Sequence, residues 1–169
     1  MMAMEIQDMS NAYIEHSIVI SNFVSIVGSQ LNNSLCRVFG DNVKYKWAEN
    51  ENVPVIPDVS INCDMKNRRT TTFMGTPRFV MEVLSPSTET NDRNGKMELY
   101  KKVEVTEYWI ADWCSRTIEI YVLAPVETSV DDVEYMLRNK ITESNKEELE
   151  IYTFPNIKIS FDDLFDGTV

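Results

Sequence analysis

The sequence is poor in the residues that build disulfide frameworks and zinc sites. It has a single histidine, His16, and three widely spaced cysteines, Cys36, Cys63 and Cys114. An odd number of cysteines at such spacing predicts neither a disulfide framework nor a zinc centre. No apolar run reaches transmembrane length, and no basic segment followed by an apolar run opens the chain, so neither a membrane span nor a signal peptide is expected. A reducing cytoplasm is the expected location.

Glycine and proline are also scarce, with five and six residues among 169, whereas 43% of the residues are hydrophobic and 25% are charged. This composition excludes a largely disordered chain. The length suits one compact domain over residues 1–169. The formal net charge of -11 argues against a nucleic-acid partner, because proteins that bind DNA phosphates strongly are usually basic. A local basic strip, or a cation held by carboxylates, would still permit such a partner.

The order of predicted elements indicates a mixed α/β (α+β) fold. Apolar residues at helical spacing predict a first helix from about Ser10 to Leu31, capped by Ser10 or Asn11. Gly40-Asp41-Asn42 predicts a hairpin between the strands CRVF and VKYKW. A second helix is expected to start at Asp92 as its N-cap. Further strands are predicted in VIPDVSIN, RFVMEVL, EYWIADW, TIEIYVL, DVEYMLR, ELEIYTF and IKISF.

Glu82 is the strongest candidate for a functional residue, because it lies in the apolar strand FVMEVL. Val80 and Leu84 share its face of the strand, and the opposite face is apolar too, as in a central strand that is covered on both sides. A buried carboxylate without a partner is energetically costly. Glu82 is therefore expected either to bind a cation or to form a salt bridge with a core lysine or arginine.

Asp58 and Lys96 are the next candidates. Pro57-Asp58 alone is typical of a turn. In a helix from Asp92, Lys96 shares the apolar face with Tyr100, and it would reach toward the end of the strand that carries Glu82. The alternative is a lysine whose stem covers the core while its amine stays in water.

Together these residues predict chemistry on phosphodiesters. Carboxylates of Asp58 and Glu82 on adjacent strands would be suitable ligands for Mg²⁺, or Mn²⁺, since these ions prefer oxygen. Such an ion polarises a phosphoryl oxygen and acidifies a bound water. The Lys96 ammonium would orient the water or stabilise the developing charge.

Two other titratable residues have weaker signals. His16 is expected to be an ordinary polar surface residue, with contact to phosphate or metal as the alternative. Glu107 is a possible partner of Lys96 or Lys101.

Three segments carry a family resemblance: VIPDVSINCD, PRFVMEVLSPST and DRNGKMELYKKVEVTEYWIAD. In this order and spacing they resemble the Uma-type family of bacterial restriction endonucleases, within the PD-(D/E)XK nuclease superfamily, from about His16 to Leu123. The resemblance implies a restriction-endonuclease-like core, in which a central mixed β-sheet is flanked by helices. It also implies a metal-dependent endonuclease with DNA as substrate. Because cutting both strands usually takes two sites, a homodimer is expected, paired through the apolar strands of the C-terminal third.

The resemblance assigns residues to roles. Asp58 corresponds to the aspartate of the PD motif and Glu82 to the glutamate of EVLSPST. Lys96 matches the lysine of D-x-x-x-K-x-x-x-Y, which Asp92 and Tyr100 flank. Leu84 stands where the superfamily usually has its lysine, so Lys96 would take over that role. The N-terminal region is shorter than usual and Glu104 replaces a glycine, which leaves a catalytically silent binding or assembly module as the alternative.

Overall fold

The computed structural model describes residues 13–50, 53–86 and 88–169. It shows nine strands within these ranges: β1 (Arg37–Phe39), β2 (Lys44–Tyr45), β3 (Val59–Asn62), β4 (Arg68–Arg69), β5 (Thr72–Phe73), β6 (Phe79–Val83), β7 (Glu107–Asp112), β8 (Thr117–Pro125) and β9 (Val133–Ile141). The α-helices of the same ranges are α1 (Ile14–Gln30), α2 (Glu89–Arg93), α3 (Gly95–Lys102) and α4 (Phe161–Leu164), and Ala48–Asn50 and Lys146–Glu148 form 3₁₀ turns. None of these helices is long and apolar enough to cross a membrane.

Six strands form a central mixed sheet in the order β1-β3-β6-β7-β8-β9, and three form a small sheet in the order β2-β5-β4. In the central sheet only β6 and β7 run parallel, and α2 and α3 make the crossover between them. The predicted mixed α/β fold class is thus confirmed.

The central strand β6 is buried on both faces, as predicted for RFVMEVL. Phe79, Met81 and Val83 face the core that contains α1. Val80 and Leu84 face a second core, on the side of α3. Side chains alternate along a strand, so Glu82 also points toward the α3 side.

The predicted first helix is present as α1. Its stripe of Val19, Phe23 and Val27 is fully buried, and the Phe23 ring stacks on Phe79 at a centroid distance of 5.2 Å. The helix ends at Gln30, close to the predicted end, and Asn33 then adopts a φ of 65°, which a short polar residue tolerates. The predicted caps, Ser10 and Asn11, lie outside the described residues.

The predicted hairpin around residues 40–42 is wrong. β1 pairs with β3 in the central sheet, whereas β2 pairs with β5 in the small sheet. Val38 packs against the α1 core and Tyr45 belongs to the second core. The turn therefore carries the chain from the edge of the central sheet to the small sheet.

The expectation that the cysteines form no disulfide is also wrong. Cys36 precedes β1 and Cys63 follows β3, so the antiparallel register Arg37↔Asn62 places them opposite each other. They are disulfide-bonded, with 4.0 Å between their Cα atoms, and Cys114 remains free and exposed. The spacing of the cysteines in the sequence did not predict this disulfide, because 27 positions separate Cys36 from Cys63. The pairing of β1 with β3 brings them together.

Candidate active site

Glu82 lies at the centre of a polar network on the α3 side of the sheet. Its side chain has no solvent exposure. One carboxylate oxygen, Oε1, accepts a hydrogen bond from the Tyr100 hydroxyl at 2.7 Å. The other, Oε2, lies 3.0 Å from Lys96 Nζ and 3.3 Å from the amide nitrogen of Asp58. The buried glutamate therefore has the cationic partner that its apolar strand required.

Asp58 stands beside Glu82, one position beyond the last paired residues of β3 and β6, Val59 and Met81. The backbone amide of Val83 donates a hydrogen bond to Asp58 Oδ2 at 2.7 Å. The acceptor is thus a side-chain carboxylate and not a backbone carbonyl of the neighbouring strand. Asp58 and the Glu82–Val83 segment thus hold each other by reciprocal amide–carboxylate contacts. Asp58 is partly accessible to solvent, with 16% of its side chain exposed, whereas Glu82 is fully buried.

Lys96 reaches the site from the first turn of α3, and it does not point away into water. Its Nζ contacts Glu82 and lies 3.1 Å from Asp92 Oδ1. Asp92, expected to cap this helix, is instead buried within α2, and Asn94 precedes α3. That expectation is wrong because the chain forms two consecutive short helices, so that Asp92 faces the lysine one turn later.

His16 reaches the same site from α1. Its Nε2 lies 3.2 Å from Asp58 Oδ2, and only 18% of its side chain is exposed. His16 therefore differs from an ordinary surface residue. A signal for this was available, because positions three, four and seven residues after His16 are the buried Val19, Ile20 and Phe23.

Glu107 does not belong to this network. It is buried at the start of β7 and lies on the same strand face as Trp109, which packs in the α1 core. Its carboxylate accepts hydrogen bonds from Trp109 Nε1 and from the backbone of Tyr152 and Thr153, and also from the Thr153 hydroxyl. The suggested pairing with Lys96 or Lys101 is wrong, since Lys101 instead contacts Glu98 and Glu134.

Burial and crowding of like charges raise the pKa of Glu82 well above its usual value, with Asp58 as the main charge. Burial also raises the pKa of Asp92. For Asp58, burial opposes ionisation, but the hydrogen bond and charge of His16 outweigh it and lower the pKa. For Lys96, burial disfavours the ammonium, yet Glu82 and Asp92 outweigh this and raise its pKa. Three carboxylates thus surround one ammonium, and the site carries excess negative charge.

This donor set is compatible with a divalent cation. Within the described ranges, no group of three or more His, Cys, Asp or Glu side chains has a metal-binding arrangement. Asp58 and Glu82 nevertheless supply two carboxylates, and Mg²⁺ is commonly held by one or two carboxylates and several waters. Among the described residues, His16 and the Val83 amide both contact the Oδ2 atom of Asp58. The Oδ1 atom therefore remains available to another ligand.

The fold is similar to that of a solved structure whose description names a nuclease. The solved structure described as "a putative nuclease belonging to DUF820" from Anabaena variabilis is similar, with a TM-score of 0.68 over 94% of this chain and 84% of that chain. The sequences are only 17% identical, so this likeness concerns the fold.

Sequence comparison gives the family. The model of the Uma2 family, described as "Putative restriction endonuclease", matches residues 5–159. The chain therefore belongs to the Uma2 family, as its motifs indicated. It is also 31% identical, over 118 residues, to an uncharacterised protein of Synechocystis. That alignment covers 69% of this chain and 62% of the Synechocystis protein, so the chain spans less than two thirds of this relative.

Proposed function

We propose that the protein is a metal-dependent endonuclease that hydrolyses phosphodiester bonds of DNA at Asp58, Glu82 and Lys96. The observation that carries this proposal is the contact of Lys96 Nζ with a fully buried Glu82 carboxylate beside Asp58. These residues come from β6, from the start of β3 and from α3, which are separate parts of the chain. Membership of the Uma2 family and the nuclease-like fold support the same reaction class.

Asp58 and Glu82 would hold the Mg²⁺ or Mn²⁺ ion. When bound, such an ion polarises the scissile phosphate and lowers the pKa of water. Ionised carboxylates are needed to hold it, and the ion's charge would offset the crowding that raises the pKa of Glu82. Tyr100 and the Asp58 amide fix the orientation of Glu82, while His16 and the Val83 amide fix that of Asp58.

Lys96 would act directly on the reacting groups. It remains an ammonium, because its pKa is raised, and 19% of its side chain is open to solvent. It can therefore donate a hydrogen bond to the attacking water or to a phosphate oxygen as charge develops there. Asp92 Oδ1 also contacts the ammonium, at 3.1 Å, and helps to hold it in position.

The test is cleavage of supercoiled plasmid with Mg²⁺, with Mn²⁺ and with EDTA. Wild type is expected to nick DNA only with metal, and Asp58→Ala and Glu82→Ala are expected to be inactive. Glu127→Gln, at an exposed carboxylate of the β8–β9 connection, is the matched control and should retain full activity. Equal activity of wild type, Asp58→Ala and Glu82→Ala would refute the proposed site.

A catalytically silent binding or assembly module is the second candidate. Two observations favour it. Lys96 and Glu82 already neutralise each other in a direct ion pair, and the net charge of the protein is -11. Binding of Mn²⁺ by the wild-type protein without cleavage of DNA or RNA, over a range of pH, would favour this module over the enzyme.

Three broader expectations remain proposals: one domain over residues 1–169, a cytoplasmic location and a homodimer. The Cys36–Cys63 disulfide argues against the cytoplasmic location, because disulfides are rare in a reducing cytoplasm. The dimer follows from the need to cut two strands with one site per chain. Light scattering showing only a monomer, with and without DNA, would contradict it.

A further inference from the structure

Positive charge is concentrated in one part of this acidic protein. The segment from Val43 to Arg78 has six of the 16 basic residues but only four of the 27 acidic ones, and one of these four is Asp58 of the candidate site. The segment therefore carries a formal charge of +2, and the rest of the chain carries the opposite sign in large excess. This segment includes all of the small sheet, β2, β4 and β5.

The small sheet presents part of this charge on a single face. Its strand pairing places Lys44 opposite Thr72, and Thr72 opposite Arg69. Residues that lie opposite each other in a sheet share a face, and the next pair, Tyr45 and Phe73, is buried in the second core. Lys44 and Arg69 therefore lie on the outer face and are exposed. They are two strand spacings apart, or roughly 10 Å.

The cations on this face have no partner in the part of the chain that the structure describes. Lys44, Lys46 and Arg69 form neither an ion pair nor a side-chain hydrogen bond with the described residues. Elsewhere in the described ranges, acidic partners hold many of the basic side chains, namely Arg93, Lys96, Lys101, Arg116 and Lys146. A net-negative protein has ample carboxylates to pair with the small-sheet cations, yet none of the described carboxylates contacts them.

A shallow pocket at this face brings suitable donors together. Lys46, Arg69 and Thr72 line it, along with Trp47, Ala48 and Met74. Its floor is held in place, because Trp47 Nε1 donates to the Gly75 carbonyl at 3.3 Å and the Lys46 amide donates to the Phe73 carbonyl at 3.0 Å. Ammonium, guanidinium and hydroxyl groups on a fixed backbone are the donors that bind phosphate oxygens.

The small sheet is linked to the candidate active site through its buried face. The Tyr45 hydroxyl hydrogen-bonds the Ser60 hydroxyl at 2.9 Å, and Ser60 lies two residues after Asp58 on β3. Tyr45 and Phe73 also belong to the same core as Tyr100, whose hydroxyl contacts Glu82. The basic face and the site thus lie on the same side of the central sheet.

We propose that Lys44, Lys46 and Arg69 of the small sheet bind the phosphate backbone of the nucleic acid that the active site cleaves. This inference rests on the proposed nuclease function and adds the surface that holds the substrate. The contacts carry no base information, so this surface would set affinity and orientation rather than sequence preference.

The experiment compares Lys44→Gln/Arg69→Gln with Lys140→Gln/Lys158→Gln, a control that removes the same charge from two exposed lysines outside the small sheet. Fluorescence anisotropy with a labelled DNA duplex, in EDTA to prevent cleavage, gives Kd at several salt concentrations. The small-sheet variant should bind about tenfold more weakly, with a salt slope lower by about 2, because two phosphate contacts are lost. Its cleavage should show a higher KM with kcat retained, and the control should match wild type.

The outcomes separate this inference from the nuclease proposal. Equal Kd and equal salt slope for both double variants and wild type would overturn the small-sheet surface and leave the nuclease proposal intact. Failure of wild type to bind DNA or RNA would also overturn it, while metal-dependent nicking independently tests the enzyme. Loss of binding to anionic lipid vesicles, but not to DNA, in the small-sheet variant would overturn it in favour of a membrane surface.

Discussion

The ammonium of Lys96 lies 3.0 Å from a carboxylate oxygen of Glu82, a residue with no solvent exposure in the middle of an apolar strand. Neither charge would be stable alone in this position. Asp92 contacts the same ammonium, and Asp58 adds a third carboxylate nearby. Three carboxylates close to one lysine are a poor arrangement for stability alone, so substitutions of Glu82 and of Lys96 should differ in their effect on stability.

Glu82→Gln should abolish DNA cleavage without lowering the stability of the metal-free protein at neutral pH. Burial is the main cause that raises the pKa of Glu82 in the folded protein. The protonated Glu82 side chain therefore contributes fully to stability below the pKa of the unfolded state. This contribution is lost as the pH rises through the pKa of the folded state. The variant lacks this titration. Its advantage over wild type should therefore grow from about pH 4 upward. Urea unfolding in EDTA across a pH series gives the free energy of unfolding of the variant and of wild type. If the variant's advantage in this free energy shrinks with rising pH, the prediction is contradicted.

Lys96→Met should inactivate the enzyme and destabilise it. Loss of a donor to the reacting phosphate costs roughly 100-fold or more in kcat. Removal of one partner of a largely buried ion pair costs about 3 kcal/mol, because Glu82 and Asp92 lose the ammonium that contacts them. The double variant Glu82→Gln/Lys96→Met should recover part of the lost stability and none of the activity. A double-mutant cycle with no coupling energy would show that the observed contact does not stabilise the protein.

The sequence was sufficient to predict the strand of Glu82 and the helix of Lys96, because apolar periodicity and burial on both faces are local properties. It could not place Cys36 opposite Cys63, or His16 against Asp58, since these contacts depend on how β1 and β3 pair and on how α1 packs across the sheet. Asp92 was misassigned as a helix cap for a related reason. One helix and two short consecutive helices have similar local patterns, so the sequence did not distinguish the break at Asn94.

His16→Ala should weaken metal binding more than it weakens folding. His16 touches only the outer end of the network and holds the orientation of Asp58 through the contact at 3.2 Å. Loss of a residue that orients a ligand typically costs about 10-fold or more in metal affinity. The Mg²⁺ concentration for half-maximal cleavage should rise accordingly, with kcat at saturating metal largely restored. His16→Gln keeps a donor for the Asp58 carboxylate and should lie between wild type and His16→Ala. An unchanged metal requirement in both variants would exclude this role.

Glu107→Ala should destabilise the fold without a direct effect on the chemistry. Four donors converge on this carboxylate, and two of them come from the backbone of the C-terminal segment at Tyr152 and Thr153. Leaving buried donors unpaired costs about 1–3 kcal/mol each where no water replaces the acceptor. Glu107→Ala should therefore lower the midpoint of urea unfolding substantially, while Glu127→Ala, at an exposed carboxylate, should not. Cleavage per folded molecule should equal that of wild type, and a selective loss of kcat would place Glu107 in the active site after all.

The Cys36–Cys63 disulfide predicts a specific pattern of thiol reactivity. Of the three cysteines, only Cys114 is free, so the native protein purified without reductant should show one reactive thiol, and three after reduction and unfolding. Closing a loop between positions 27 apart destabilises the unfolded chain by about 3.5 kcal/mol in the chain-entropy description. Cys36→Ser/Cys63→Ser should be less stable by about that amount under oxidising conditions and equal to wild type under reducing ones, with Cys114→Ser unaffected in both. Three thiols reacting in the protein isolated without reductant would show that β1 and β3 are joined by strand pairing alone.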